Sequence, residues 1–179
     1  MIELRVYADS LLSMVPPLIY WGLLVTFCVG LALLSWQKGL KEGLRYGAVL
    51  LLVEWVLLVL GMTVVFREAQ PERGFSFIPL VSYFDITKNS YLMEKVALNM
   101  LNVALFVPIG LLVGCGFRTM TWRRALVVGA GLSVVIELLQ LVFRKGLCET
   151  DDVIHNVAGC MIGYGIVIVL RHLSLARKQ

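Results

Sequence analysis

Charge is scarce in this chain. Only 16% of the residues are Asp, Glu, Lys or Arg, against roughly a quarter in soluble domains. Histidine occurs twice, and no Cys-x-x-Cys or Cys/His spacing supplies a zinc ligand set. There is no Walker loop, no Gly-x-Gly-x-x-Gly and no His-Glu-x-x-His, so no sequence signal points to nucleotide-cradling or zinc-hydrolase chemistry. Neither a metal nor a cofactor is expected. Three of the four cysteines, Cys28, Cys115 and Cys160, lie within apolar stretches, where cysteine behaves as a small apolar residue. Cys148 falls in a polar connection. The leader MIELRVYADS lacks a basic run and carries Glu3 and Asp9. The apolar stretch after it is too long for a secretory signal and has no small-x-small cleavage site, so it is read as a span.

What replaces charge is apolar surface. Hydrophobic residues make up 59% of the chain, and mean hydropathy is +0.86. They come in blocks of about 20, the length a helix needs to cross a bilayer. The blocks run roughly Leu11–Trp36, Leu44–Phe66, Met93–Phe117, Ala125–Phe143 and Val153–Leu170. In hydrocarbon every backbone polar group must be satisfied internally, so the expected fold is all-α. We read residues 1–179 as a single membrane domain, an integral membrane bundle of five transmembrane helices.

Orientation follows from Lys and Arg. One set of connections holds Lys38, Lys41, Arg45, Arg118, Arg123, Arg124, Arg171, Arg177 and Lys178, with Glu42 as its acid. The other holds Arg5, Arg67, Arg73, Lys88, Lys95, Arg144 and Lys145 among numerous acids. The positive-inside rule therefore places the N-terminus outside and the C-terminus in the cytoplasm. The net charge of +4 fits anchoring beside anionic lipid; nucleic acid is not an expected partner.

Polar groups at membrane depth are costly and default to functional candidates. Three sets fall at the same, outer end of the bundle. They are Asn99 and Asn102 in the third block; Glu137, Gln140 and Arg144 leaving the fourth; and Asp151, Asp152, His155 and Asn156 entering the fifth. At i, i+3 and i+7 spacing, Glu137, Gln140 and Arg144 share one helical stripe. Gly159 and Gly163 have the small-xxx-small spacing that permits close helix approach. That approach is expected to bring Asp152 and Asn156 toward Glu137 and Gln140, with Asn102 nearby. Plainer roles exist for each. The asparagines can bond neighbouring helices, Glu137 can pair with Arg144, and the two aspartates can favour a helix N-terminus. Pro108 is expected to bend the third helix, and Pro16-Pro17 to disrupt the first. Glu54, mid-block, has no polar companion at helical spacing and ranks below Glu137.

The strings NMLNVALFVPIGLL, from Asn99, and IELLQLVFRKGLCETDDVIHNVAGCMIGYG, from Ile136, carry a resemblance. Together with RGFSFIPL, from Arg73, they are similar to the VanZ-like family. These are small bacterial membrane proteins linked to resistance against teicoplanin-type glycopeptides. The matching positions are Asn102, Phe106, Pro108, Gly110, Glu137, Gln140, Asp152, Asn156, Gly159, Gly163 and Tyr164, within a core of residues 73–165. Pro108, Gly110, Gly159 and Gly163 are read as packing positions. Two positions depart from the pattern. Ser76 stands where an asparagine is expected, and Arg144 lies upstream of the expected arginine, with Gly146 nearer that place.

The resemblance implies a multi-pass protein of the bacterial cytoplasmic membrane. Its expected role is to recognise a lipoglycopeptide, or a lipid-linked envelope component, at the outer leaflet. The candidate ligand-binding residues are Arg73, Asn99, Asn102, Glu137, Gln140, Arg144, Asp151, Asp152, His155 and Asn156. Membrane lipid is the expected partner. Two other readings stay open: an intramembrane enzyme acting on a phospholipid or lipid-linked cell-wall precursor, and a small transporter or flippase using Glu137 as a proton site. The enzyme reading lacks an identified nucleophile. The transport reading lacks polar groups at the cytoplasmic ends of the spans.

Overall fold

Pro17 opens the first helix, α1 (Pro17–Lys38), where its fixed φ suits the first helical position and its missing N–H has no bond to lose. The expected disruption is there: Ser13 is helical, residues 15 and 16 are not, and the long helix begins only at Pro17. The computed structural model describes residue 13 and residues 15–71, 74–76 and 89–176; Arg73 lies outside them. Gly39, at φ 78°, turns the chain straight into α2 (Leu40–Leu60), which ends in a π-helical turn over Gly61–Val65. Then follow α3 (Asn89–Gly116), α4 (Trp122–Phe143) and α5 (Thr150–Ala176). Five helices among the described residues are long and apolar enough to cross a membrane, as the composition required. Two three-residue strands were not anticipated. These are β1 (Gly74–Ser76) and β2 (Leu147–Glu149), which pair in parallel with Phe75 opposite Cys148.

Helix α1 has no buried residue among those described and packs chiefly on α2. Its apolar side chains, Trp21, Val25 and Leu33 among them, face outward, as suits lipid. The core lies among α2 to α5, around Val59, Phe106, Ile109, Val113, Ile136 and Cys160. The most extensive packing is between α3 and α5, and glycine makes it feasible. A Cβ on Gly159 would lie 3.0 Å from Val103 Cα, and one on Gly110 would lie 2.8 Å from the Tyr164 backbone nitrogen. The glycine stripe therefore faces α3, where the sequence reading aimed it at α4. Toward α4, α5 presents Cys160, whose Cβ would meet a Cβ on Gly129 at 2.9 Å. Pro108 lies inside α3.

Hydrogen bonds sort the connections into two ends. At one, Arg45 donates to Gly116 O at 3.0 Å and pairs with Glu42, which also pairs with Arg118; Arg171 donates to Gly114 O. These Arg-bearing segments gather at a single end. At the other end, Lys145 Nζ donates to Arg67 O at 2.5 Å and Gln70 N to Arg144 O at 2.7 Å. Tyr164 closes the first of these ends, donating to Met120 O in the α3–α4 connection at 2.9 Å and meeting Trp122 edge-on.

Candidate functional site

Helix α4 buries one polar stripe. Ser133, Glu137 and Gln140 follow at i, i+4 and i+7 and are 0%, 4% and 4% exposed. Burying polar groups is costly unless each finds a partner. Ser133 receives Asn156 Nδ2 from α5 at 2.9 Å. Glu137 accepts the Glu149 backbone N–H at 3.0 Å, which fixes the α4–α5 connection over the site. Gln140 Nε2 donates to Thr63 O at 3.2 Å, in the π-helical turn. Its Oε1 is buried with no hydrogen-bond partner, a position that costs about 1–3 kcal/mol unless something fills it.

Charges gather above this stripe. Asp152 is half-buried and within electrostatic range of Glu149, Lys95, Arg67 and His155. Glu137 is in range of Asp152, Glu149 and Arg67. Lys95, only 8% exposed, pairs with Glu149. Asp151 is 4% exposed, and its carbonyl lies 2.6 Å from His155 Nδ1, a contact that requires Nδ1 to carry a hydrogen. Burial first, then the negative charges of Glu137, Asp152 and Glu149, push the Cys148 thiol above its ordinary range.

The structure brings together Glu137, Gln140, Asp152 and Asn156 around one end of α4 and α5. Asn99 is fully buried on α3, and Asn102, one turn on, is half-buried. Arg144 is not part of this group. It caps α4 in the left-handed conformation, φ 57°, with its side chain exposed. A cap there turns the side chain away from the stripe that helical spacing assigned it, so Glu137 does not pair with it. Ser76 pairs with Glu149 in the parallel strands, and its carbonyl accepts a long 3.4 Å bond from Thr150. Glu54, which has no companion on its own helix, receives one from α1: Thr26 Oγ1 donates to it at 2.7 Å.

Sequence reasoning passed over Arg67, Lys95, Ser133, Thr63 and Glu149. For two of them the signal was present. Lys95 precedes Asn99 by four residues and Asn102 by seven, and Ser133 precedes Glu137 by four, so each lies on a polar stripe already identified. Arg67, Thr63 and Glu149 come from connections and backbone contacts that spacing does not encode.

Several hydroxyls around the cluster are spent on backbone carbonyls. Thr63 Oγ1 donates to Val59 O at 2.7 Å, and Thr150 Oγ1 to Ser76 O. Ser133 meets an amide. None is hydrogen-bonded to a carboxylate or imidazole base, the pairing that activates a nucleophile. Among the described residues no three His, Cys, Asp or Glu side chains converge as a metal-ligand group. The arrangement offers buried acids, a guanidinium and an unfilled amide acceptor, which suit recognition of a ligand with mixed charge.

Comparison with known proteins gives three findings. The family model described as VanZ/LLP1 matches residues 47–171. Protein VanZ of Enterococcus faecium is 32% identical over 68 residues, which are 36% of this chain and 42% of that protein, so less than half of the relative's length is spanned. No solved structure matches.

Proposed function

Because this chain belongs to the VanZ/LLP1 family, we propose that it is a resistance factor toward teicoplanin-type lipoglycopeptides. It resides in the bacterial cytoplasmic membrane and recognises the antibiotic, or a lipid-linked envelope component, at the outer leaflet. The observation that carries this reading is the buried stripe Ser133–Glu137–Gln140, whose last member keeps an acceptor unfilled beneath a charged mouth. A lipid-tailed ligand enters such a crevice with its chain among the helices and its polar part against the acids. Catalysis is disfavoured because the hydroxyls at hand are bonded away from any base. A susceptible host expressing the chain is expected to tolerate more teicoplanin than one carrying an empty vector. Equal tolerance at verified membrane expression would sink the resistance role.

The outer placement follows from the charge asymmetry, with the Arg45–Glu42–Arg118 end cytoplasmic. Cys148 reports on it directly. With Cys28, Cys115 and Cys160 replaced by alanine, a membrane-impermeant maleimide is expected to label Cys148 in intact cells. Since the thiolate is the nucleophile, the raised thiol reacts slowly at neutral pH. Labelling speeds up as pH rises beyond the usual thiol range, and Glu137→Gln accelerates it by removing a neighbouring negative charge. Labelling only after permeabilisation would reverse the orientation.

A further inference from the structure

Arg67 stands just beyond the π-helical turn that ends α2, half-buried at the mouth of the cluster. Its main chain is bolted to the C-terminal end of α4. Lys145 Nζ donates to its carbonyl at 2.5 Å, Gln70 N donates to Arg144 O at 2.7 Å, and Gln140 Nε2 holds Thr63 O at 3.2 Å. The guanidinium rests on Gly146. A Cβ there would lie 3.0 Å from Nη1 and 3.1 Å from Cζ, and Gly146 adopts φ 154°, where a side chain is strained. Both facts reserve the position for glycine and hold the guanidinium plane in place.

The other cation of the cluster is committed, since Lys95 pairs with Glu149. Arg67 is different. Among the described residues its guanidinium forms no hydrogen bond and no ion pair; the bond from Lys145 goes to the Arg67 backbone carbonyl. It holds a fork of five N–H donors that matches the oxygens of phosphate or carboxylate. Gln140 Oε1, 4% exposed and unpartnered, supplies an acceptor on the stretch of α4 that Thr63 meets. A preset donor fork at the mouth and an unfilled acceptor beneath it describe two ends of a missing polar group.

We infer that Arg67 and Gln140 form the headgroup end of the ligand site: Arg67 clasps the phosphate of a membrane-anchored lipid, and Gln140 Oε1 accepts from a hydroxyl or amine beside it. This rests on the recognition reading above and adds the chemistry of the ligand. The carboxyls of Glu137 and Asp152 stop the mouth from being a general anion sink. They repel a bare anion, and they favour a phosphate that carries a donor group and is delivered by its chain.

The test uses the purified full chain in a neutral maltoside detergent and calorimetric titration with farnesyl monophosphate, farnesol and inorganic phosphate. Farnesyl monophosphate is expected to bind saturably, with the other two at least about tenfold weaker. Arg67→Gln should weaken farnesyl monophosphate by about 10- to 100-fold, the range for a hydrogen bond to a charged group. Arg67→Lys should recover only part, because it keeps the charge and loses the fork. Gly146→Ala should also weaken binding by displacing the guanidinium. A matching size-exclusion profile confirms that each variant is folded; if Arg67→Gln does not meet it, Arg67→Lys carries the comparison. Undiminished binding by Arg67→Gln, or by a folded Arg67→Lys in its place, overturns the assignment. So does inorganic phosphate binding as tightly as farnesyl monophosphate, or no saturable binding of the latter by the native chain. If the Arg67 variants bind normally while Glu137→Gln still abolishes resistance, the Arg67 assignment alone falls. If Glu137→Gln changes neither binding nor resistance, the recognition reading falls with it.

Discussion

Glu137→Gln is expected to leave a folded protein that recognises its ligand poorly. The side chain is 4% exposed and accepts the Glu149 N–H at 3.0 Å. A glutamine oxygen can accept the same bond, so the α4–α5 connection keeps its path. What disappears is a carboxyl able to carry negative charge beside Asp152, Glu149 and Arg67. A ligand amine or hydroxyl that bonded a carboxylate then bonds a neutral amide. That difference is worth about 1 kcal/mol or more, since bonds to charged groups run at about 1.5–3 kcal/mol and neutral ones at about 1. Asp152→Asn should behave likewise. A binding role makes the loss graded, with high ligand concentration restoring occupancy. A catalytic role makes it a loss of turnover at saturation, typically 10²–10⁴-fold for a positioned proton transfer. Titration of both variants with farnesyl monophosphate in detergent, read together with any conversion of that lipid at saturation, separates the two, and an unmoved binding curve for both would remove the acids from the site.

The largest structural effect is expected at Gly163. A Cβ there would lie 2.8 Å from Leu111 N and would overlap the carbonyl of Val107. Both neighbours are helical backbone, which cannot rotate aside as a side chain can. Gly163→Ala must therefore push α5 from α3, along the helix pair that holds Phe106, Ile109, Val113 and Cys160 in the core. Overpacking typically costs about 1–3 kcal/mol and occasionally more, and Gly163→Leu should prevent assembly. Gly131 is the control, since a Cβ there meets nothing within 4 Å. Thermal unfolding in detergent should show Gly163→Ala clearly destabilised and Gly131→Ala unchanged or slightly raised. Equal stability of the two would mean that α3 and α5 are not in close contact.

The five spans were legible because bilayer thickness and backbone satisfaction leave a 59% hydrophobic chain few alternatives. Glu137, Gln140, Asp152 and Asn156 were legible because each sits on a helix whose period fixes its face. Legibility ended where the helices end. Arg144 was given a helical direction, yet it is the left-handed cap and points to solvent. The guanidinium beside Gly146 belongs to Arg67, nearly eighty residues upstream. Nothing in local spacing links two connections that meet only after the bundle forms. The same holds for Glu54, whose companion Thr26 comes from another helix. The glycines announced close packing without naming the partner, because small-xxx-small spacing specifies a distance of approach and leaves the facing helix to the tertiary fold.

The central claim is that the outer-end cluster binds an envelope ligand and leaves it chemically unchanged. The most direct measurement is mass spectrometry of lipids that co-purify with the native chain and with Glu137→Gln in gentle detergent. The account predicts an intact phosphate-bearing lipid retained by the native chain, unaltered on incubation and depleted in the variant. Equal retention by both proteins, or conversion of that lipid by the native chain alone, would contradict it.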